Sequence, residues 1–226
     1  MTADAASQPR RALLAGASGL IGRSLLALLL DSPRYAQVDV LLRRPVAGLP
    51  ASSKLQTCIV DFDHLPPLPA VDDVFIALGT TIKVAGSQEA FRRVDFDAVV
   101  DTAKAARAAG ARRVLVVSAL GADARSRVFY NRVKGDMQAA VAALGYETVV
   151  FAQPSLLLGD RAALGQPKRS AEEWAARWLR PVIGWLPAGV RPITADAVAR
   201  AMLQAALDSA AGVTVLSSAR MQSFAR

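Results

Sequence analysis

The feature that most constrains this 226-residue chain is a glycine triplet near its start, in the segment LLAGASGLIG at residues 13–22. The three glycines stand three residues apart, between a short apolar run and a segment with helical spacing. In a strand-to-helix turn, Gly16 permits the sharp turn, Gly19 lets the backbone approach a pyrophosphate, and Gly22 allows close packing of the helix on the strand. The alternative is a glycine-rich turn without a ligand. In this context the spacing predicts a dinucleotide site at the positive end of the helix.

Apolar runs and helical patterns alternate along the rest of the chain. Strands are expected at residues 11–15, 37–44, 55–62, 72–81, 112–122, 147–155 and 212–218. Helices are expected at residues 20–31, 87–110, 126–145, 170–179 and 194–208. Because strands that alternate with helices form parallel sheets, the sequence predicts an α/β fold. It is a doubly wound, Rossmann-like parallel sheet with helices on both faces and a short C-terminal extension.

The length and the 53% hydrophobic content suit one well-buried core. We expect a single NAD(P)-binding Rossmann domain over residues 1–226, with residues 1–10 loose. Residues 160–226 would form a small C-terminal region that covers the sheet or the substrate. Its helix at 194–208 is compatible with sheet cover or with a homodimer contact. Three tryptophans that could pack over the crevice or form a partner surface are Trp174, Trp178 and Trp185.

The formal net charge of +8 raises the question of a nucleic-acid or anionic membrane partner. The arginines and lysines are spread along the whole chain, and no recognised nucleic-acid module is visible. We therefore expect neither a nucleic-acid nor a membrane partner. A polyanionic cofactor accounts for the positive charge instead. The other expected partner is a small-molecule substrate.

The N-terminal segment QPRRALLAGASGLIG looks like a twin-arginine export signal, but Arg23 interrupts its apolar run. No stretch reaches the ~18 uninterrupted apolar residues of a membrane span. The only cysteine, Cys58, excludes an internal disulfide, fits a reducing compartment and is expected in the core. The only histidine, His64, lacks partners for a metal site. These features favour a soluble, cytoplasmic protein without a metal.

The second predicted strand ends in the type of residue that distinguishes the two nicotinamide dinucleotides. A carboxylate there binds the ribose 2′-hydroxyl of NAD, whereas an arginine accommodates the 2′-phosphate of NADP. Arg43 and Arg44 occupy this place in LLRRP, with no acid, which favours NADP over NAD. The alternative is a pair of solvent-facing arginines. Asp61, at the end of the third strand, could accept from the adenine amino group or cap a helix.

A candidate catalytic set follows the fifth strand. Ser118 ends that strand, and Tyr130 and Lys134 lie four residues apart on one face of the next helix. A lysine ammonium stabilises a nearby phenolate, which lets a tyrosine exchange protons near neutral pH, and a serine hydroxyl can hold a carbonyl oxygen. The alternative is an ordinary amphipathic helix in which the tyrosine packs and the lysine is solvated.

As a set, these motifs resemble the atypical short-chain dehydrogenase/reductase superfamily, especially its small Tat-interacting-protein-like oxidoreductases. The resemblance covers about residues 10–206 and rests on GASGLIG, LLRRP, VDF, ALGTT, FRRVDFD, VVSALGADARS, FYNRVKG and PSLLLGDR. It implies a Rossmann sheet that binds NADP at its carboxyl edge. The implied catalytic residues are Ser118, Tyr130 and Lys134. The implied cofactor contacts are Gly16, Ala17, Ser18, Gly19, Leu20, Ile21 and Gly22 at the pyrophosphate, Arg43 and Arg44 at the 2′-phosphate, Asp61 and Phe62 at the adenine, Leu78, Gly79, Thr80 and Thr81 under the nicotinamide ribose, and Pro154, Ser155 and Leu156 at the carboxamide.

Two departures from the family pattern leave the function open. The region after residue 160 is too short for a substrate lobe like that of the sugar-nucleotide epimerases. No asparagine stands where the larger enzymes extend their proton relay, and Asp95 lies in the comparable helix. The expected function is NADP-dependent hydride transfer to or from a small carbonyl or alcohol. The alternatives are a non-catalytic NADP-binding regulator and an epimerase or isomerase on the same scaffold.

Overall fold

Seven parallel strands form one central sheet in the computed structural model, which describes residues 9–158, 187 and 189–225. The strands of the structure are β1 (Arg10–Ala15), β2 (Tyr35–Leu42), β3 (Leu55–Ile59), β4 (Asp73–Ile76), β5 (Arg113–Val117), β6 (Thr148–Gln153), β7 (Leu157–Leu158), β8 (Ile193–Thr194) and β9 (Gly212–Ser217). The order in the sheet is β3-β2-β1-β4-β5-β6-β9, and β7 pairs with β8 apart from it. The order reverses between β1 and β4, which is where a doubly wound sheet opens its ligand crevice. The predicted fold class is confirmed.

Helices cover both faces of the sheet. They are α1 (Leu20–Asp31), α2 (Ile82–Ala85), α3 (Gln88–Arg92), a π-helical turn (Arg93–Asp97), α4 (Ala98–Ala108), α5 (Phe129–Ala142), α6 (Ala195–Asp208) and α7 (Ser218–Gln222). Helices α1 and α6 pack together on one face, with Leu25 and Met202 fully buried in their shared core. Helices α4 and α5 cover the other face, around Val99 and Met137. The helix predicted at residues 194–208 therefore serves at least as sheet cover.

Some of the predicted segments fall outside the described residues. They are the helix at 170–179, the three tryptophans in and just beyond it, and nearly all of the N-terminal segment expected to be loose. Within residues 9–158 and 189–225, no helix is both long enough and apolar enough to cross a bilayer.

The edge strand β3 corrects one expectation about burial. Cys58 is exposed there, not in the core. Four of the five residues of β3 are exposed, because the strand pairs only with β2. The sequence at residues 55–62 predicted a strand, but it could not show that this strand lies at the edge of the sheet.

The four central strands begin around one buried carboxylate. Asp73, the first residue of β4, is fully buried, and its carboxylate accepts from the Tyr35 hydroxyl at 2.6 Å. Arg113 and Arg10 pair with the same carboxylate at 2.9 and 3.3 Å. Both guanidinium groups also donate to the Ser209 hydroxyl at the end of α6. This Asp73 cluster ties the amino ends of β1, β2, β4 and β5 to the helix that covers them.

Burial dominates the titration of the Asp73 cluster. It raises the pKa of the Asp73 carboxyl, while the Tyr35 hydrogen bond and the charges of Arg113 and Arg10 work against that rise. Burial, and then the charge of Asp73, raises the pKa of the Tyr35 phenol well above its usual value. The phenol therefore stays protonated and keeps donating over the whole range in which the protein is expected to work.

Candidate active site

The glycine turn after β1 has three glycines with three different structural demands. Gly16 has a φ of +95°, and a Cβ there would stand 2.5 Å from the Ala77 carbonyl oxygen. A Cβ on Gly22 would collide with the backbone of Gly16. By contrast, the nearest atom to a Cβ on Gly19 would be 3.5 Å away, which is an ordinary contact. The packing of the described residues therefore explains Gly16 and Gly22, whereas at Gly19 it leaves room for a side chain, and close approach of a ligand would account for the glycine.

Helix α1 begins at this turn, and its first N–H groups have no partner within the helix. Its N-cap is Gly19, no side chain caps it, and no acidic residue lies in its first turn. Ala17 and Ile21 are buried, so they can face a ligand only through their backbone, whereas Ser18 is exposed and Leu20 partly exposed. Unsatisfied N–H groups and the helix dipole together attract phosphate. The residues present thus fit a pyrophosphate.

The end of β2 presents two cations to solvent. Arg43 and Arg44 directly follow the strand, and both are exposed. Neither guanidinium forms an ion pair within residues 9–158 and 189–225. Since β2 lies next to β1, both arginines belong to the same edge of the sheet as the glycine turn. They can reach a phosphate there without first breaking another contact.

The two residues expected at the adenine differ in exposure to solvent. Asp61 is exposed, and its carboxylate accepts from the Asp63 N–H at 3.0 Å and contacts the His64 ring at 3.3 Å. The hydrogen bond from Asp63, and then that from His64, holds the pKa of Asp61 below its usual range. Phe62 is buried in the core beneath α4 and α5. Asp61 thus has an exposed, ionised oxygen, and Phe62 leaves little surface for a ligand; their role at the adenine stays a prediction.

The loop after β4 passes directly over a buried ion pair. The Lys134 ammonium lies 2.7 Å from Asp95 Oδ1, and the two side chains are only 3% and 1% exposed. Asp95 Oδ2 accepts from the Thr80 N–H at 2.8 Å. A Cβ on Gly79 would stand 3.3 Å from Asp95 Oδ1 and 3.8 Å from the Lys134 nitrogen. Asp95 therefore fixes both the lysine and the loop of Leu78, Gly79, Thr80 and Thr81.

A π-helical turn places Asp95 in this position. The helix predicted at residues 87–110 forms as α3 and α4, joined by the turn Arg93–Asp97. Such turns inside helices are frequent at functional sites. The turn carries the buried Asp95 toward α5, where it meets Lys134. The alternative of an ordinary amphipathic helix required a solvated lysine. Lys134 is instead buried and paired with Asp95.

Ser118 is held by a glutamine that the sequence analysis did not single out. Its hydroxyl accepts from Gln138 Nε2 at 2.6 Å, and the residue is 4% exposed. Gln138 Oε1 in turn lies 3.4 Å from Gln153 Nε2, at the end of β6. Gln138 is four residues beyond Lys134 and eight beyond Tyr130, so the helical spacing on one face could have indicated it.

Tyr130 lies in the first turn of α5 and is partly exposed. Its ring packs against the buried ring of Phe91, with centroids 5.3 Å apart. A Cβ on Gly135 would collide with the backbone of Asp123 and Ala124, so this glycine lets the loop after β5 lie directly on α5. Ser118, Tyr130 and Lys134 thus belong to two adjoining elements.

The segment after β6 closes the far side of this edge. Pro154 is buried, and its carbonyl oxygen accepts from the Leu120 N–H at 3.1 Å. The Ser155 hydroxyl donates to the Arg191 carbonyl oxygen and accepts from Ser218. Leu156, partly buried, accepts from the Ile193 N–H. Pro154, Ser155 and Leu156 therefore join the carboxyl edge to the C-terminal region, and their contact with a cofactor stays a prediction.

Similarity to known proteins agrees with this geometry. The NAD(P)H-binding family matches residues 16–153. The protein fmp52, mitochondrial, of Emericella nidulans is 33% identical over 210 residues, covering 88% of each chain. The corresponding protein of Candida albicans is 31% identical over 191 residues, covering 82% of each chain.

Solved structures show the same fold at low sequence identity. A short-chain dehydrogenase/reductase family oxidoreductase from Burkholderia thailandensis has a TM-score of 0.68 at 18% identity, covering 96% of this chain and 94% of its own. MoeE5 in complex with UDP-glucose and NAD has a TM-score of 0.68 at 19% identity, covering 91% and 75%. These likenesses support the Rossmann-like scaffold and do not distinguish NAD from NADP.

The relatives correct the expected location. They are named as mitochondrial proteins, in Emericella nidulans and Candida albicans alike, which contradicts the cytoplasmic expectation. That expectation rested on a single cysteine and on the absence of a long apolar run. Neither feature separates one reducing compartment from another.

Proposed function

This chain belongs to the NAD(P)H-binding family and, as its motifs predicted, to the atypical short-chain dehydrogenase/reductase superfamily; on that basis we propose that it is an NADP-dependent oxidoreductase. Its substrate would be a small carbonyl compound or alcohol, with Tyr130 as the proton donor and acceptor. The observation that carries the proposal is the set of polar side chains on β5 and α5. Ser118 directly follows the strand, and Tyr130 and Lys134 share one face of the helix beside it.

The proposed binding mode uses the residues that the protein's own packing leaves open. The N-terminus of α1 would hold the pyrophosphate in the space that Gly19 keeps free. Arg43 and Arg44 would pair with a 2′-phosphate, since an arginine fork matches phosphate geometry. NAD offers these cations no phosphate at that position, which is why we propose a preference for NADP.

The proposed chemistry assigns one task to each side chain. When bound, the nicotinamide ring supplies or accepts the hydride. Tyr130 holds a proton at its phenol oxygen and exchanges it with the substrate oxygen. Ser118 donates a hydrogen bond to that same oxygen, which stabilises negative charge on it. Lys134, fixed by Asp95, supplies a positive charge one helical turn from the phenol.

One observation favours a second candidate, a regulator that binds the cofactor without turnover. Asp95 already compensates the charge of Lys134 at 2.7 Å, so less of that charge acts on a phenolate at Tyr130. A bound dinucleotide would still be held by the glycine turn and the two arginines. The two candidates agree on binding and differ in what Tyr130 does.

The test is reduction of a panel of small aldehydes and ketones with NADPH by the wild type and by Tyr130→Phe. The oxidoreductase proposal expects wild-type turnover and a loss of about 10²–10⁴-fold in kcat for the variant. Cofactor affinity should be unchanged, because the ring and its packing on Phe91 remain. Turnover by the variant at the wild-type rate would refute the role of Tyr130. Tight NADPH binding without wild-type turnover across the panel would favour the regulator.

A further inference from the structure

We propose that Gln138 is a positioning residue that commits the Ser118 hydroxyl to donate its hydrogen toward the substrate oxygen. The proposal rests on the oxidoreductase function above. It starts from a short polar contact at the candidate catalytic set, the 2.6 Å hydrogen bond from Gln138 Nε2 to Ser118 Oγ. Ser118 is 4% exposed, so this bond has little competition from solvent.

The chemistry of the two groups fixes the direction of the hydrogen. A hydroxyl has one hydrogen to donate and two lone pairs that accept, whereas an amide NH₂ group only donates. Because Gln138 fills one lone pair of Ser118, the serine hydrogen is left for a different acceptor. An acceptor in the place of the amide would instead draw that hydrogen inward, away from the substrate.

The neighbours of Gln138 keep its amide in this orientation. Gln153 Nε2 faces Gln138 Oε1 at 3.4 Å, so the oxygen of Gln138 points to β6 and its nitrogen to β5. The two glutamines and the serine form a line from the end of β6, across α5, to the end of β5. Both strands belong to the buried centre of the sheet, which holds the line in place.

A committed donor suits one kind of substrate atom. An oxygen that gains negative charge during the reaction, such as a carbonyl oxygen becoming an alkoxide, is stabilised by a hydrogen bond aimed at it in advance. Ser118 held in this way would act beside Tyr130 on that oxygen. Gln138 itself does not touch the substrate and acts through the serine.

The test replaces the donor with an acceptor of nearly the same shape, using the best carbonyl substrate of the NADPH panel. At about pH 8 the Gln138→Glu side chain is a carboxylate, and kcat should fall on the order of 10- to 100-fold. Toward about pH 4 the carboxyl takes up a proton and donates again, so the ratio of variant to wild-type kcat should rise. NADPH affinity should be unchanged throughout. Tyr130, Lys134 and Asp95 are present in both proteins, so the ratio removes their contribution.

Two further variants separate positioning from packing. Gln138→Met fills the same space without a donor or a charge, and its kcat should be low at every pH. Gln56→Glu, on the exposed edge strand β3, adds the same charge far from the site and should leave kcat unchanged. Recovery at low pH by Gln138→Glu alone is the result we expect.

Two results would overturn the proposal while leaving the proposed function intact. One is wild-type kcat in Gln138→Glu at every pH. The other is an equal loss in Gln138→Glu and Gln138→Met that does not depend on pH, which would mean that the glutamine only supports packing. Absence of wild-type turnover would instead refute the proposed function and this inference with it.

Discussion

A buried carboxylate lies near each end of strand β4, and the two carboxylates have opposite kinds of surroundings. At the amino end, Asp73 is enclosed by two arginines and a tyrosine from three neighbouring strands. At the carboxyl end, Asp95 lies under the loop of β4 and pairs with one cation, Lys134. The first carboxylate joins strands, whereas the second joins a loop to a helix that carries the candidate catalytic residues.

The difference indicates that the two ends of the strands have different roles; we call them the amino edge and the carboxyl edge of the sheet. At the amino edge every polar group of the Asp73 cluster has a partner within the fold. At the carboxyl edge Gly19 keeps a space free, and two arginines have no ion-pair partner in the described part of the chain. A doubly wound sheet binds its ligand at the carboxyl ends of its strands. We infer that the amino edge serves stability and the carboxyl edge serves binding.

The largest effect on stability is expected from Asp73→Asn. The change places an NH₂ group, which only donates, against the Tyr35, Arg10 and Arg113 donors, which should lower the free energy of unfolding by about 3–5 kcal/mol. Urea unfolding measures the loss. The matched control is Asp72→Asn, one residue earlier. The Asp72 side chain accepts from the Arg11 N–H, and an asparagine side chain can still accept this hydrogen bond. A loss below about 1 kcal/mol for Asp73→Asn would break the comparison.

A smaller effect, and one that can be reversed, is expected at the other end of β4. Asp95→Asn removes the charge that faces the buried Lys134 and should cost about 3 kcal/mol. Adding Lys134→Met removes the ammonium as well, so stability should return to within about 1 kcal/mol of the wild type. NADPH titration should nevertheless show weakened binding by the double variant. If stability does not return, Asp95 serves the fold as Asp73 does, and the distinction between the edges fails.

A still smaller effect on stability is expected from Tyr35→Phe, which removes one hydrogen bond to Asp73. The loss should be about 2 kcal/mol near neutral pH, because the acceptor is charged. The matched control is Tyr146→Phe, which removes a hydrogen bond to the neutral carbonyl oxygen of Ala103 and should cost less.

The same two tyrosines predict how stability depends on alkaline pH. Burial raises the pKa of both phenols in the folded state. Above about pH 10 an unfolded tyrosine loses its proton while the folded one keeps it, so stability is complete below that pH and is lost above it. Each tyrosine should contribute up to about 1.4 kcal/mol per pH unit. Urea unfolding over this range should therefore show a shallower decline for either phenylalanine variant, and an unchanged decline would contradict the stated burial.

The sequence predicted the fold because its signals are local. Strand and helix patterns alternate, and glycines close the turns, so the doubly wound sheet followed from periodicity alone. What periodicity does not report is the position of a strand in the sheet. For that reason Cys58 was expected in the core, although β3 is an edge strand.

The candidate site likewise has residues that the sequence predicted and contacts that only the structure shows. Ser118, Tyr130 and Lys134 were found from spacing, since they end a strand and share a helix face. The ion pair of Lys134 with Asp95 depends on a π-helical turn, and hydrophobic periodicity does not predict such a turn. The hydrogen bond from Gln138 to Ser118 joins residues twenty positions apart, and only the packing of α5 on the sheet brings them together.

The most direct test of the division between edges is a titration of the wild type and of Arg43→Ala/Arg44→Ala with NADPH and NADH, followed by nicotinamide fluorescence. Both arginines are exposed, so the double variant should unfold at the same urea concentration as the wild type. The wild type should bind NADPH about tenfold or more tighter than NADH, and the variant should lose that advantage with its NADH affinity unchanged. Equal affinities in the wild type, or tighter binding of NADH, would contradict the account.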